Sequence, residues 1–250
     1  NLPASVTLVQ SRAFDGCTGL NGISVAPGST AYASLDGVLF NHDQTILIQC
    51  PGGKSGPYAV PNGVAAIANN AFKGCAGLTA AILPASLVSI GSSAFEECRG
   101  LTDLAIPAGV NALGSYAFYG CTGLATAAVG QGVASLPEGV FQGCRNLVTL
   151  QVSSNLAAIG TSALEGCSGL AGFSIPETVF SIGAYAFFGC SSLPDIHIPA
   201  GVAQIQERAF DLCAGLTNIT VAAENPAFED LDGVLFNQAG TTLAAQEVAP

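Results

Sequence analysis

Seven cysteines stand at one fixed spacing: Cys75, Cys98, Cys121, Cys144, Cys167, Cys190 and Cys213 follow one another every 23 residues. A strict period of this length marks a repeat array, because each unit is too short to cover its own apolar face and must stack on its neighbours. Other columns keep the same period. Three residues before the cysteine stand Phe14, Phe72, Phe95, Phe118, Phe141, Leu164, Phe187 and Phe210, and three after it Leu20, Leu78, Leu101, Leu124, Leu147, Leu170, Leu193 and Leu216. Eight after it comes Val25, Leu83, Ile106, Val129, Val152, Ile175, Ile198 or Val221, often followed by Pro, which ends a short strand.

Within a unit, Leu104 and Ile106 alternate with small or polar neighbours as a half-buried strand does. An apolar pair such as Val179 and Ile182 follows, then Gly183 to Cys190, where small residues predict one tight helical or 3₁₀ turn. The expected fold is an α/β repeat: a solenoid with one strand and one helical turn per 23-residue coil, as a single domain over 1–250, with Phe, Leu and Cys in ladders. Two regions break the period. Cys17 and Cys75 are 58 residues apart, one period plus 35, and the excess around 29–58 reads as an inserted β-hairpin with strands flanking Asn41 to Thr45. Its opening, Leu35-Asp-Gly-Val-Leu-Phe40, recurs from Leu231 to Phe236, predicting a partial hairpin and cap over about 225–250. That hairpin and Asn1–Val9 are expected to cover the solenoid ends, whose strand edges would otherwise stick to other chains.

The string Ile-Pro-x-x-Val-x-x-Ile-Gly-x-x-Ala-Phe-x-Gly-Cys-x-x-Leu, fullest from Ile175 to Leu193, together with the Asp-Gly-Val-Leu-Phe hairpin, resembles the BspA-like leucine-rich repeat family. The resemblance spans nearly the whole chain. It implies a curved solenoid on secreted or surface-displayed proteins, used for adhesion and protein binding, with no catalytic residues to carry over. The chain departs from the pattern at Leu164 in place of Phe, Leu212 in place of Gly, Cys50 in place of an aromatic residue, and in the shortened second hairpin. Leu164 is expected to leave a small void costing on the order of 1 kcal/mol.

Charge excludes some partners. Seventeen acidic and six basic side chains give a net charge of −11, the wrong sign for nucleic acid or anionic lipid. The longest uncharged run, Leu104 to Pro137, is broken by glycines and prolines, so no membrane span is expected. Asn1 is followed by no basic-then-apolar leader, and the chain is read as a processed or excised form. Only 9% of residues are charged, which leaves an outer surface of Ala, Gly, Ser, Thr and Asn. Two readings compete: a secreted or surface-displayed interaction or adhesion module that binds a host or matrix protein, and a structural subunit docked permanently against neighbours in a larger assembly. The first places the chain extracellularly or at the cell surface, monomeric unless docked; the second places it in an organelle lumen or a membrane-associated complex.

Residues five and seven after each cysteine should line the concave face. The partner-binding strip is therefore assigned to Asp103, Thr126, Thr149, Gln151, Ser174, Asp195, His197, Asn218 and Thr220. Ser174, His197 and Asp195 suggest a nucleophile, base and orienter, with Ser174 about 5 Å from His197 across one strand spacing. Asp195 lies about 7 Å from His197 along the strand, too far for a direct hydrogen bond, so no catalytic residue is assigned. No Cys-x-x-Cys or Cys/His cluster points to a metal, and no cofactor is expected. Glu224, Glu229, Asp230 and Asp232 lack EF-hand spacing and read as a solvated turn. Asn218-Ile-Thr220 is a glycosylation sequon inside a predicted strand. The cysteines are expected to be buried thiols rather than disulfides, since laddered side chains run parallel with β-carbons about 4.8 Å apart.

Overall fold

The computed structural model describes residues 1–10 and 12–238; the expected cap over 225–250 therefore falls partly outside the described residues. The chain winds into a stack of coils whose backbones pair side by side in two strand columns rather than one. The first column is the parallel sheet Gly56–Ala59, Leu78–Ile82, Asp103–Ala105, Thr126–Ala128 and Thr149–Gln151, resumed by the parallel pair Asp195–Ile198 and Asn218–Val221. Register follows the repeat, with Asp103 beside Thr126 and Thr126 beside Thr149. The second column has two-residue strands: Ala66–Ile67, Ser89–Ile90 and Ala112–Leu113 in one sheet, and Ser135–Leu136, Ala158–Ile159, Ser181–Ile182 and Gln204–Ile205 in another.

Each interruption has a local cause. Gly91, Gly114, Gly160 and Gly183 each donate their N–H to a carbonyl of the preceding coil, as Gly114 does to Ile90 at 2.8 Å. Pro137 occupies the same repeat position and has no N–H to donate to Leu113, and the second sheet divides there. In the first column the Cys167 coil contributes no strand: Gly172 stands where the other strand-forming coils have Ala, Asp, Thr or Asn, and the bulky Phe173 where they have Ala, Leu or Ile.

The expected helical turn does not form, and no helix occurs among the described residues. Two left-handed backbone positions recur in every coil, four residues apart: Ser93 (φ 54°) and Glu97 (φ 58°), Tyr116 (59°) and Gly120 (66°), Ser162 (53°) and Gly166 (70°). Residues in that region end right-handed helical growth. The freed amides bond across coils, Phe72 N–H to Ala94 carbonyl at 2.7 Å and Phe95 N–H to Ala117 carbonyl at 2.7 Å, which adds a third ladder. Small residues in this stretch thus permit close stacking of turns, not a helix.

The inserted segment is larger than a hairpin. Val38–Asn41 and Ile46–Gln49 are antiparallel, but Tyr32–Leu35 adds a third strand, and Ile46–Gln49 then pairs in parallel with Ala66–Ile67 to extend the second sheet. At the first end Leu2 bridges to Val25. At the other, Phe228–Leu231 pairs with Val234–Asn237. The buried Asn225 is fully engaged: its amide donates to the Pro199 and Val202 carbonyls, and its oxygen accepts from the Ala227 and Phe228 amides.

Between the columns runs one apolar core. The Phe rings of consecutive coils lie nearly parallel, with centroids 4.6 Å apart for Phe72 and Phe95, 5.2 Å for Phe95 and Phe118, and 5.5 Å for Phe118 and Phe141. Leu164 interrupts this ladder, and Phe173 of the same coil packs edge-on to Phe187 at 5.3 Å. A buried ring thus enters this coil from the sheet side rather than from the ladder position.

Candidate functional site

The first sheet has an inner and an outer face because strand residues alternate. Leu104, Ala127 and Leu150 point into the core, while Asp103, Thr126, Thr149 and Gln151 are exposed with Ala105 on the opposite face. Parallel register turns that alternation into two rows across the strands. One row reads Ala80, Asp103, Thr126, Thr149; the other reads Ile82, Ala105, Ala128, Gln151. A shallow groove of about 560 Å³ lies over them. Ile82 at one end is 61% exposed.

Two threonines orient the one carboxylate in this groove. Thr126 Oγ1 donates to Asp103 Oδ1 and Thr102 Oγ1 to Asp103 Oδ2, at 2.5 and 2.8 Å. The Thr126 bond, then the Thr102 bond, hold the Asp103 pKa below the usual carboxylate value. Thr102 lies just outside the two rows and was not among the expected strip residues; its pairing depends on a rotamer that no spacing reveals.

The expected strip is split. Asp103, Thr126, Thr149 and Gln151 line the groove. Ser174 lies in the coil that contributes no strand, and Asp195, His197, Asn218 and Thr220 lie beyond it on the separate strand pair. His197 Nδ1 and Thr220 Oγ1 are 2.9 Å apart, and among the described residues no hydrogen bond joins His197 to Ser174 or Asp195. The nucleophile–base–orienter arrangement is not assembled. Asp230 is also committed structurally, accepting the Val221 N–H at 2.7 Å. No group of three or more His, Cys, Asp or Glu side chains that could hold a metal occurs among the described residues, and no helix there is long and apolar enough to cross a membrane.

All nine cysteines are free thiols, eight buried and Cys17 exposed. Their role includes a hydrogen bond that the ladder pattern alone did not reveal. The six thiols from Cys98 to Cys213 each reach the carbonyl of the ladder residue one coil back: Cys98 to Phe72 and Cys121 to Phe95 at 3.1 Å, Cys144 to Phe118 and Cys167 to Phe141 at 3.2 Å, Cys190 to Leu164 at 3.3 Å, Cys213 to Phe187 at 3.0 Å. Cys75, lacking a regular coil before it, points to the Pro51 carbonyl beside buried Cys50. Burial pushes the Cys121 and Cys167 thiols up to about 12 and Cys213 to about 11. These are inert structural groups, not nucleophiles.

Stacked coils with parallel strand columns and a buried Phe, Leu and Cys ladder define a leucine-rich-repeat-type solenoid. The model for the BspA type leucine rich repeat region matches residues 58–171 and 158–238 with six copies. The chain belongs to that family. Among solved structures it is similar to a leucine-rich repeat protein from Eubacterium ventriosum, at 26% identity and TM-score 0.79 over 84% of this chain and 57% of that one. A leucine-rich repeat protein from Bacteroides ovatus shares the fold at 23% identity and TM-score 0.59, over 80% of this chain and 60% of that one. The chain thus spans less than two thirds of the length of either. No curated protein matches it.

Proposed function

We propose that this chain is a non-enzymatic protein-interaction module, secreted or displayed at a cell surface, that binds through the outward face of the first sheet. The observation that carries the reading is the groove over Ala105 and Ala128, flanked by Asp103, Thr126, Thr149 and Gln151. Small side chains let another backbone approach closely, and a rigid sheet holds the polar groups in place. Membership of the BspA-type family supports an interaction role. A photo-crosslinking residue at Ala128 should capture a partner protein in the native setting, while the same residue at exposed Ala157, outside that face, should not. Equal capture at both positions would contradict the reading.

A second reading, a structural subunit, is favoured by one observation. Val88 and Phe180 share a repeat position on another flank and are 45% and 52% exposed, so that flank carries apolar surface of its own. Native mass measurement separates the two: a subunit co-purifies with its assembly or self-associates, whereas a display module stays monomeric.

A further inference from the structure

Resting on the interaction reading above, we infer that the groove over Ala105 and Ala128 takes a short extended segment of a protein partner that places a lysine or arginine on Asp103. Three features argue for that chemistry. The groove floor has no side chain beyond Cβ at Ala105 and Ala128, and it is bounded by Ile82 at one end and Gln151 at the other. Three interstrand steps separate those ends, about 14 Å, the length of roughly four extended residues. A segment lying across the strands therefore fits between them without displacing anything.

Charge decides what that segment carries. Asp103 is the acidic side chain lining this groove, and its two oxygens each accept one hydroxyl, leaving lone pairs directed to solvent. None of the chain's six basic residues lies in either strand column, so nothing on this face neutralises Asp103. Four of the six are engaged elsewhere, in the pairs Arg12–Asp15, Lys73–Glu96, Arg99–Glu97 and Arg208–Asp211. A fixed, uncompensated carboxylate fits a guanidinium or ammonium group, and a net charge of −11 draws a cationic partner in from a distance.

Ile82 sets the neighbouring requirement. It stands one coil and two residues away from Asp103, about 8 Å by strand geometry. Residues i and i+2 of an extended segment match that spacing, so an apolar side chain on Ile82 should accompany the basic one on Asp103.

Selection of phage-displayed random 12-residue peptides on the whole chain tests this. The expected result is enrichment of Lys or Arg with a branched apolar residue two positions away. Asp103→Asn should then weaken the selected peptides about tenfold, and Ala128→Tyr, which fills the floor from the solvent side, should abolish binding; unchanged circular dichroism and melting show that both variants are folded. Selected peptides without basic enrichment, or insensitive to Asp103→Asn while still blocked by Ala128→Tyr, overturn the cationic-segment inference and leave the groove as a binding face. Peptides that bind regardless of Ala128→Tyr overturn both readings. A selection that yields no peptide overturns the inference, and the crosslinking at Ala128 then decides the fate of the broader reading independently.

Discussion

The coils carrying Cys98, Cys121 and Cys144 and the coil carrying Cys167 fill the same core with different side chains. In the first three, a Phe ring stacks on its neighbours, Phe95 and Phe118 on both sides and Phe141 on Phe118 alone, and a Leu or Ala points inward from the first sheet. In the fourth, Leu164 takes the ladder position, Phe173 supplies the bulk from the sheet side, and the sheet loses a strand. Leu164 and Phe173 are both buried, and the ring of Phe173 packs on Phe187 of the next coil. The difference teaches that a large buried ring can enter the core from either of two positions of a coil, and that strand pairing is lost in the one coil where it enters from the sheet side.

Alkaline titration should produce the largest change, because it acts on many coils together. Burial raises the thiols of Cys121 and Cys167 to about 12 and of Cys213 to about 11, while the unfolded chain releases its protons near 9. Between those values the native state holds more protons than the unfolded one, so stability is complete below about pH 9 and falls as pH rises toward 12. Each such thiol removes about 1.4 kcal/mol per pH unit in that window. Melting temperature followed from pH 7 to 11 should drop progressively above 9, and the drop should be shallower in a Cys121→Ala, Cys167→Ala variant.

Phe118→Ala comes next. It removes a ring stacked on both sides and should cost about 3–5 kcal/mol in chemical denaturation. Leu164→Phe sharpens the contrast between coils: alone it overfills the Cys167 coil and should cost about 1–3 kcal/mol. Combined with Phe173→Leu, which restores the pattern of the neighbouring coils, it should recover most of that loss. A double-mutant cycle with no coupling between 164 and 173 would break the comparison. The smallest effect belongs to Pro137→Gly, whose new N–H can reach Leu113; its amide should show slowed hydrogen exchange with overall stability changed by less than about 1 kcal/mol.

Much of the fold was legible because the period repeats a physical requirement. Phe, Leu and Cys recur every 23 residues because each must meet its own kind on the next coil, and all three columns are buried from Phe72 to Leu216. What escaped depended on features that a list of residue types does not encode. The second strand column is only two residues per coil, too short for alternation to register. The turn from Gly183 to Cys190 was composed like a helix, yet left-handed Tyr185 and Gly189 direct its amides to the next coil. Alternation alone assigned the proposed strip to the outward side of the first sheet, but its division at Ser174 accompanies Phe173, whose packing edge-on to Phe187 no residue spacing reveals.

The register of coil on coil is tested most directly by counting reactive thiols in the folded chain. Alkylation under native conditions, followed by mass measurement, should modify one cysteine of nine, exposed Cys17, and all nine only after unfolding. Rapid modification within the series Cys98 to Cys190, or a disulfide joining two coils, would contradict the ladder on which this architecture and its binding face depend.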